Sequence, residues 1–77
     1  MTAPAIVATE PLRNMLRDAI TDSGRTQAAI ALRLGITQKH LSEMLNGHTG
    51  LSIYMATLIA DACSHELLIV LKPKEDQ

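Results

Sequence analysis

The sequence predicts a mostly α-helical domain of about four helices with a C-terminal β-strand. Three observations indicate this fold class. Apolar residues recur at helical spacing from residue 12 to residue 63, Ser, Thr and Gly stand where these segments begin and end, and residues 66–72 form a short run of mainly branched apolar residues. With 77 residues, the chain has the size of one small domain.

The composition narrows the class of protein further. There is no Phe or Trp and only one Tyr, so we expect an aliphatic core. No apolar run reaches the length of about 18 residues that a membrane span needs, and no basic leader precedes an apolar run, so we expect a cytoplasmic protein that does not contact a membrane. The single cysteine, Cys63, agrees with a reducing compartment.

The first helix is predicted to follow an N-terminal tail. Residues 1–8 are small and apolar and are expected to form this tail or a short extended segment, Thr9 is expected to cap the helix, and Gly24 to end it. Arg13 and Arg17 are interpreted as solvated surface residues. The predicted buried stripe of this helix consists of Leu12, Met15, Leu16, Ala19 and Ile20.

Two short helices joined by a tight turn are predicted in the middle of the chain. Thr26 is expected to cap a helix over residues 27–34, Gly35 to end it, and Thr37 to cap a second helix over residues 38–45. At about 100° per residue, one side of the second helix is apolar and the other polar. The apolar side holds Leu41, Met44 and Leu45, and the polar side holds Gln38, Lys39, Ser42, Glu43 and Asn46.

Residues 26–47 resemble the helix-turn-helix of the lambda repressor and Cro family, also called the XRE family. Gln27 opens the first helix, small Ala31 stands where the helices cross, and Gly35 makes the turn. The matching apolar positions are Ile30, Leu34, Ile36, Leu41 and Met44. The resemblance implies a lambda repressor-like helix bundle that binds double-stranded DNA, with the second helix in the major groove and the first across the phosphate backbone.

The resemblance also implies roles for individual residues. The start of the first helix, with Gln27, is expected to hold phosphate, Gln38 to reach a base edge, and Lys39 to contact guanine or phosphate. Glu43 departs from the basic or amide residue often found there and repels phosphate unless it accepts a hydrogen bond from cytosine. The expected DNA-binding residues are Arg25, Thr26, Gln27, Thr37, Gln38, Lys39, Ser42, Glu43, Asn46, His48 and Thr49.

The charge distribution indicates DNA binding by the middle of the chain only weakly. The formal net charge is −1, whereas DNA-binding domains are usually basic. Residues 25–60 nevertheless carry Arg25, Arg33 and Lys39 against Glu43 alone. We therefore expect the affinity for DNA to depend on dimerisation and backbone amides as well as on cationic side chains.

A fourth helix and a strand are predicted to complete the domain, which spans residues 9–72 before a polar tail over residues 73–77. Ser52 is expected to cap a helix of which Cys63 is a core residue rather than a nucleophile or ligand. Residues 66–72 are apolar on both faces, so we expect them to pair with a second copy, although they could instead extend the helix into the core. The expected dimer interface is Leu67, Leu68, Ile69, Val70 and Leu71.

These patterns favour a dimeric repressor that binds a near-palindromic operator. The alternatives are an antitoxin-type protein that binds a toxin or another protein and represses its own operon, and a pure protein-interaction module. No motif for a phosphate-binding loop or a catalytic triad is present, so an enzyme is not expected. His48 and His65 lack partners at metal-ligand spacing, so neither a metal nor another cofactor is expected.

Overall fold

The computed structural model describes residues 10–74, which form a mostly helical domain and confirm the helical part of the predicted fold. The helices are α1 (Glu10–Ser23), α2 (Gln27–Leu34), α3 (Gln38–Leu45) and α4 (Ile53–Ala62). No helix in this part of the chain is long and apolar enough to cross a membrane. The predictions for residues 1–8, for the cap Thr9 and for residues 75–77 lie outside the described residues.

The predicted caps fix three of the helix starts. The hydroxyls of Thr26, Thr37 and Ser52 each accept a hydrogen bond from the amide three residues further on, at 3.0, 3.0 and 3.1 Å. Each bond satisfies one of the four amides that a helix start leaves without a helical partner, which stabilises the helix by about 1 kcal/mol. Local sequence chemistry therefore determines where α2, α3 and α4 begin.

The core is aliphatic, as expected. Both α1 and α2 pack against α3 and α4, so α3 is held between neighbours along its inner face. The buried apolar residues are Leu16, Ala19, Ile20, Ile30, Ala31, Leu41, Met44, Leu45, Leu51, Ala56, Ile59, Ala60, Ala62 and Cys63.

The predicted face of α1 is wrong at three positions. Met15 is 65% exposed, whereas Arg13, expected in solvent, is only 9% exposed. Arg17, also expected in solvent, is half-buried. Both arginines point towards the C-terminal end of α3, whose carbonyl groups need hydrogen-bond donors. This contact turns Arg13 into the core and leaves Met15 outside.

The predicted C-terminal strand is also wrong. Residues 65–74 contain neither strand nor helix, and only Leu67 packs partly against the core. Leu68, Ile69, Val70 and Leu71 are exposed, so the alternative in which this segment enters the core fails as well. A strand is stable only when a neighbouring strand accepts its backbone hydrogen bonds, and within residues 10–74 no strand lies beside this segment.

Candidate nucleic-acid interface

The turn between α2 and α3 depends on one glycine. Gly35 has φ 75° and ψ 26°, a left-handed conformation that costs a residue with a side chain about 1 kcal/mol or more. The Gly35 amide donates to the Leu32 carbonyl at 3.2 Å, and the Ile36 amide donates to the Ala31 carbonyl at 3.0 Å. These two bonds close the end of α2, and α3 begins at Gln38, three residues after Gly35.

Close packing fixes the relative position of α2 and α3. Ile30 and Ala31 of α2 are fully buried, and so is Leu41 at the centre of α3. A larger side chain at Ala31 would push neighbouring helices apart, because protein cores have almost no free volume. The sequence-based expectation that a small residue stands at this contact agrees with the burial of Ala31.

The outer face of α3 presents polar side chains to solvent. Gln38, Lys39 and Asn46 are exposed, and Ser42 and Glu43 are half-buried. The side-chain nitrogen Nδ2 of Asn46 donates to the Ser42 hydroxyl at 3.2 Å, so these two side chains lie together at the end of the helix. The structure thus brings these expected DNA-contacting residues onto one helix face, and their contact with DNA stays a prediction.

Four other residues expected to contact DNA occupy two places. Thr26 and Gln27 lie at the start of α2, while His48 and Thr49 lie in the loop after α3. The Thr26 hydroxyl is engaged in capping, and the amides of His48 and Thr49 donate to the Glu43 carbonyl at 2.9 and 3.3 Å. Any phosphate contact by His48 or Thr49 therefore falls to the side chains rather than to the backbone. Thr37 likewise uses its hydroxyl as the cap of α3.

Arg25 is placed differently from the other expected site residues. Its guanidinium Nη1 donates to the Ala62 carbonyl at 2.9 Å and to the Ser64 hydroxyl at 3.2 Å. Arg25 therefore closes the C-terminal end of α4, where a positive charge also interacts favourably with the helix dipole. Both contacts use Nη1, and Arg25 is exposed, so a phosphate contact would fall to Nε or Nη2.

Sequence reasoning missed the two arginines of α1 that hold the end of α3. Arg13 Nε donates to the Met44 carbonyl at 2.8 Å, and Arg17 Nη1 donates to the Leu45 carbonyl. The signal was present, since Arg13 and Arg17 share the stripe of Leu16 and Ile20 at spacings of three, four and seven residues. The charge of the two side chains is instead typical of a solvated helix face, which is why the sequence predicts surface residues at both positions.

Cys63 is a core residue, as predicted. Its side chain is buried at the end of α4, and this burial raises the pKa of the thiol, while the charge of Arg25 lowers it by a smaller amount. The thiol is therefore protonated at neutral pH, which makes it a poor nucleophile and a poor metal ligand. Among residues 10–74, no group of three or more His, Cys, Asp or Glu side chains is arranged to hold a metal ion.

Capped helices, a glycine turn and an exposed polar face on α3 together define a helix-turn-helix protein. A family model described as "Helix-turn-helix" matches residues 16–64, which include the second half of α1 and all of α2, α3 and α4. The chain belongs to this family, and its resemblance to the lambda repressor and Cro proteins is confirmed. It is therefore placed among the DNA-binding transcription regulators. No curated protein and no solved structure matches the chain significantly.

Proposed function

We propose that the protein is a dimeric, sequence-specific transcription repressor that reads the major groove of DNA with α3. The observation that carries this proposal is the two-sided character of α3. Leu41, Met44 and Leu45 are buried against the core, whereas Gln38 and Lys39 are exposed on the opposite face of the same helix. A helix fits the major groove, which is about 12 Å wide, and there each base pair presents a distinct pattern of donors and acceptors.

The side chains of α3 suit particular base edges. The carboxamide of Gln38 can donate and accept at once, which matches N6 and N7 of adenine. Lys39 can donate to O6 or N7 of guanine, or to a phosphate oxygen. Glu43 is half-buried and acts as an acceptor for the amino group of cytosine, because next to a phosphate its charge would weaken binding.

Dimerisation compensates for the small number of cations. Arg13, Arg17 and Arg25 are engaged in contacts within the fold, which leaves few positive charges for phosphate. A dimer places two copies of α3 in major grooves one helical turn apart, about 34 Å, so two weak half-sites bind together and the operator is a near-palindrome. The exposed apolar residues 68–71 support this proposal, since such a segment is typical of a protein interface. Repression then follows because the bound dimer excludes RNA polymerase from an overlapping promoter.

The same apolar segment favours one other function. An antitoxin-type protein would use residues 68–71 to bind a toxin or another protein, and it would bind DNA in addition. The oligomeric state of the purified protein separates the two functions, because a repressor that acts alone needs its second copy.

Selection of bound sequences from a random DNA library tests the proposed function. We expect the wild-type protein to enrich an inverted repeat, and Gln38→Ala to relax one position in each half-site at a cost of about 1–3 kcal/mol for the preferred base. Gln27→Ala is the matched control, because loss of a phosphate contact weakens binding to all sequences alike. The proposal fails if the wild-type protein enriches no sequence at low salt, or if Gln38→Ala selects the same repeat unchanged.

A further inference from the structure

The C-terminal end of α3 has more hydrogen-bond partners than its own backbone supplies. A helix leaves its last four carbonyl groups without helical donors, here those of residues 42–45. The first two accept hydrogen bonds from nearby backbone amides. The backbone amide of Asn46 donates to the Ser42 carbonyl at 3.0 Å, and that of His48 donates to the Glu43 carbonyl at 2.9 Å. The last two receive side chains from a different helix.

Two arginines of α1 complete the set. Arg13 Nε donates to the Met44 carbonyl at 2.8 Å, although the Gly47 amide also lies 3.4 Å from that oxygen, and Arg17 Nη1 donates to the Leu45 carbonyl. We call these two arginines and the two carbonyl groups the arginine clasp. Each bond carries a positive charge to the negative end of the α3 dipole, so it is stronger than a bond between neutral groups.

The surroundings of the arginine clasp turn the arginines towards α3. The side chain of Arg13 is 10% exposed and that of Arg17 is 32% exposed, so neither points freely into solvent. The Glu10 carboxylate forms ion pairs with Arg13 at 3.8 Å and with Arg17 at 3.6 Å. The Asn14 carboxamide oxygen also accepts a hydrogen bond from Arg17.

We propose that Arg13 and Arg17 are positioning residues that fix the C-terminal end of α3 relative to α1, and thereby set the angle at which α3 meets DNA. The buried side chains of Leu41 and Leu45 fix α3 from its inner face, and the arginine clasp adds a second constraint at its C-terminal end. Hydrogen bonds to two successive carbonyl groups are directional. The part of the proposal that concerns DNA rests on the proposed function.

Amide hydrogen exchange tests the arginine clasp without DNA. Arg17→Met keeps most of the side-chain volume and removes the donors. Relative to the wild-type protein, we expect the amides of residues 45–48 to exchange about tenfold faster, while exchange of the α2 amides stays unchanged. Arg17→Lys keeps one charged donor and should restore part of the protection. Arg33→Met is the matched control, since Arg33 is exposed on α2 and makes no side-chain hydrogen bond or ion pair with the described residues. Uniformly faster exchange, or unchanged exchange, would overturn the proposal.

A salt series then separates positioning from direct phosphate contact. We expect Arg17→Met to lower the ratio of operator affinity to unrelated-duplex affinity about tenfold, without changing how steeply binding falls with salt. A lost phosphate contact would instead reduce the slope of log K against log salt by about 0.9 on both DNAs. That result, or an unchanged affinity ratio, contradicts the positioning role. If the wild-type protein selects no sequence, the proposed function fails, and the exchange experiment still decides whether the arginine clasp holds α3.

Discussion

Replacing Leu41 by Ala is expected to lower the free energy of unfolding by about 2–5 kcal/mol. Leu41 is fully buried at the centre of the inner face of α3, so truncation removes apolar contacts and leaves a cavity that the surrounding helices fill only in part. A chain of 77 residues has a total stability of roughly 4–12 kcal/mol. The substitution therefore removes a large share of the stability, and urea unfolding followed by far-UV circular dichroism measures it.

Leu32→Ala is the matched control for this experiment. It deletes the same atoms from a neighbouring helix, but Leu32 is 82% exposed and loses little contact on truncation. We expect a change within about 0.5 kcal/mol. Similar losses for the two variants would show that the inner face of α3 does not contribute to the hydrophobic core.

The stability of the domain and the placement of its polar face are consequently linked. The helix that presents Gln38 and Lys39 also contributes Leu41, Met44 and Leu45 to the core. A substitution on the inner face can thus reduce DNA binding by lowering the folded fraction alone. Affinities of such variants should be compared only after correction for that fraction.

Helix boundaries were predictable from the sequence because their causes are local. Thr26, Thr37 and Ser52 each satisfy an amide only three residues away, and Gly35 ends α2 by its own backbone conformation. Such interactions need no knowledge of the rest of the fold. The polar face of α3 follows from helical periodicity in the same way.

Features that depend on distant parts of the chain were not predicted. The arginine clasp joins Arg13 to Met44, 31 residues apart, and a charged residue in an amphipathic pattern ordinarily indicates solvent. The error at Met15 has the same origin, because the face that α1 buries depends on where α3 ends. The composition of residues 66–72 favours a strand, but a strand also needs a neighbour, which composition does not reveal.

Ile69→Lys tests the proposed dimer and is expected to reduce operator affinity about a hundredfold or more. Ile69 lies in the middle of the exposed apolar segment 68–71, so a lysine there places a charge in the proposed interface and separates the copies. A monomer binds one half-site at a time and loses the gain that a linked second site provides. Sedimentation at several concentrations and an operator titration measure the two effects together.

Because the substitution adds a lysine, a decrease in operator affinity identifies its own cause. A new positive charge by itself strengthens binding to any DNA, so a fall in operator affinity has to come from the lost dimer rather than from electrostatics. Leu32→Lys adds the same charge at another exposed apolar position, and it should leave the dimer intact and the operator affinity no lower than that of the wild-type protein. If the wild-type protein sediments as a monomer at the concentrations where it binds its operator, the second copy is not the partner of residues 68–71, and a different protein becomes the ligand to seek for this segment.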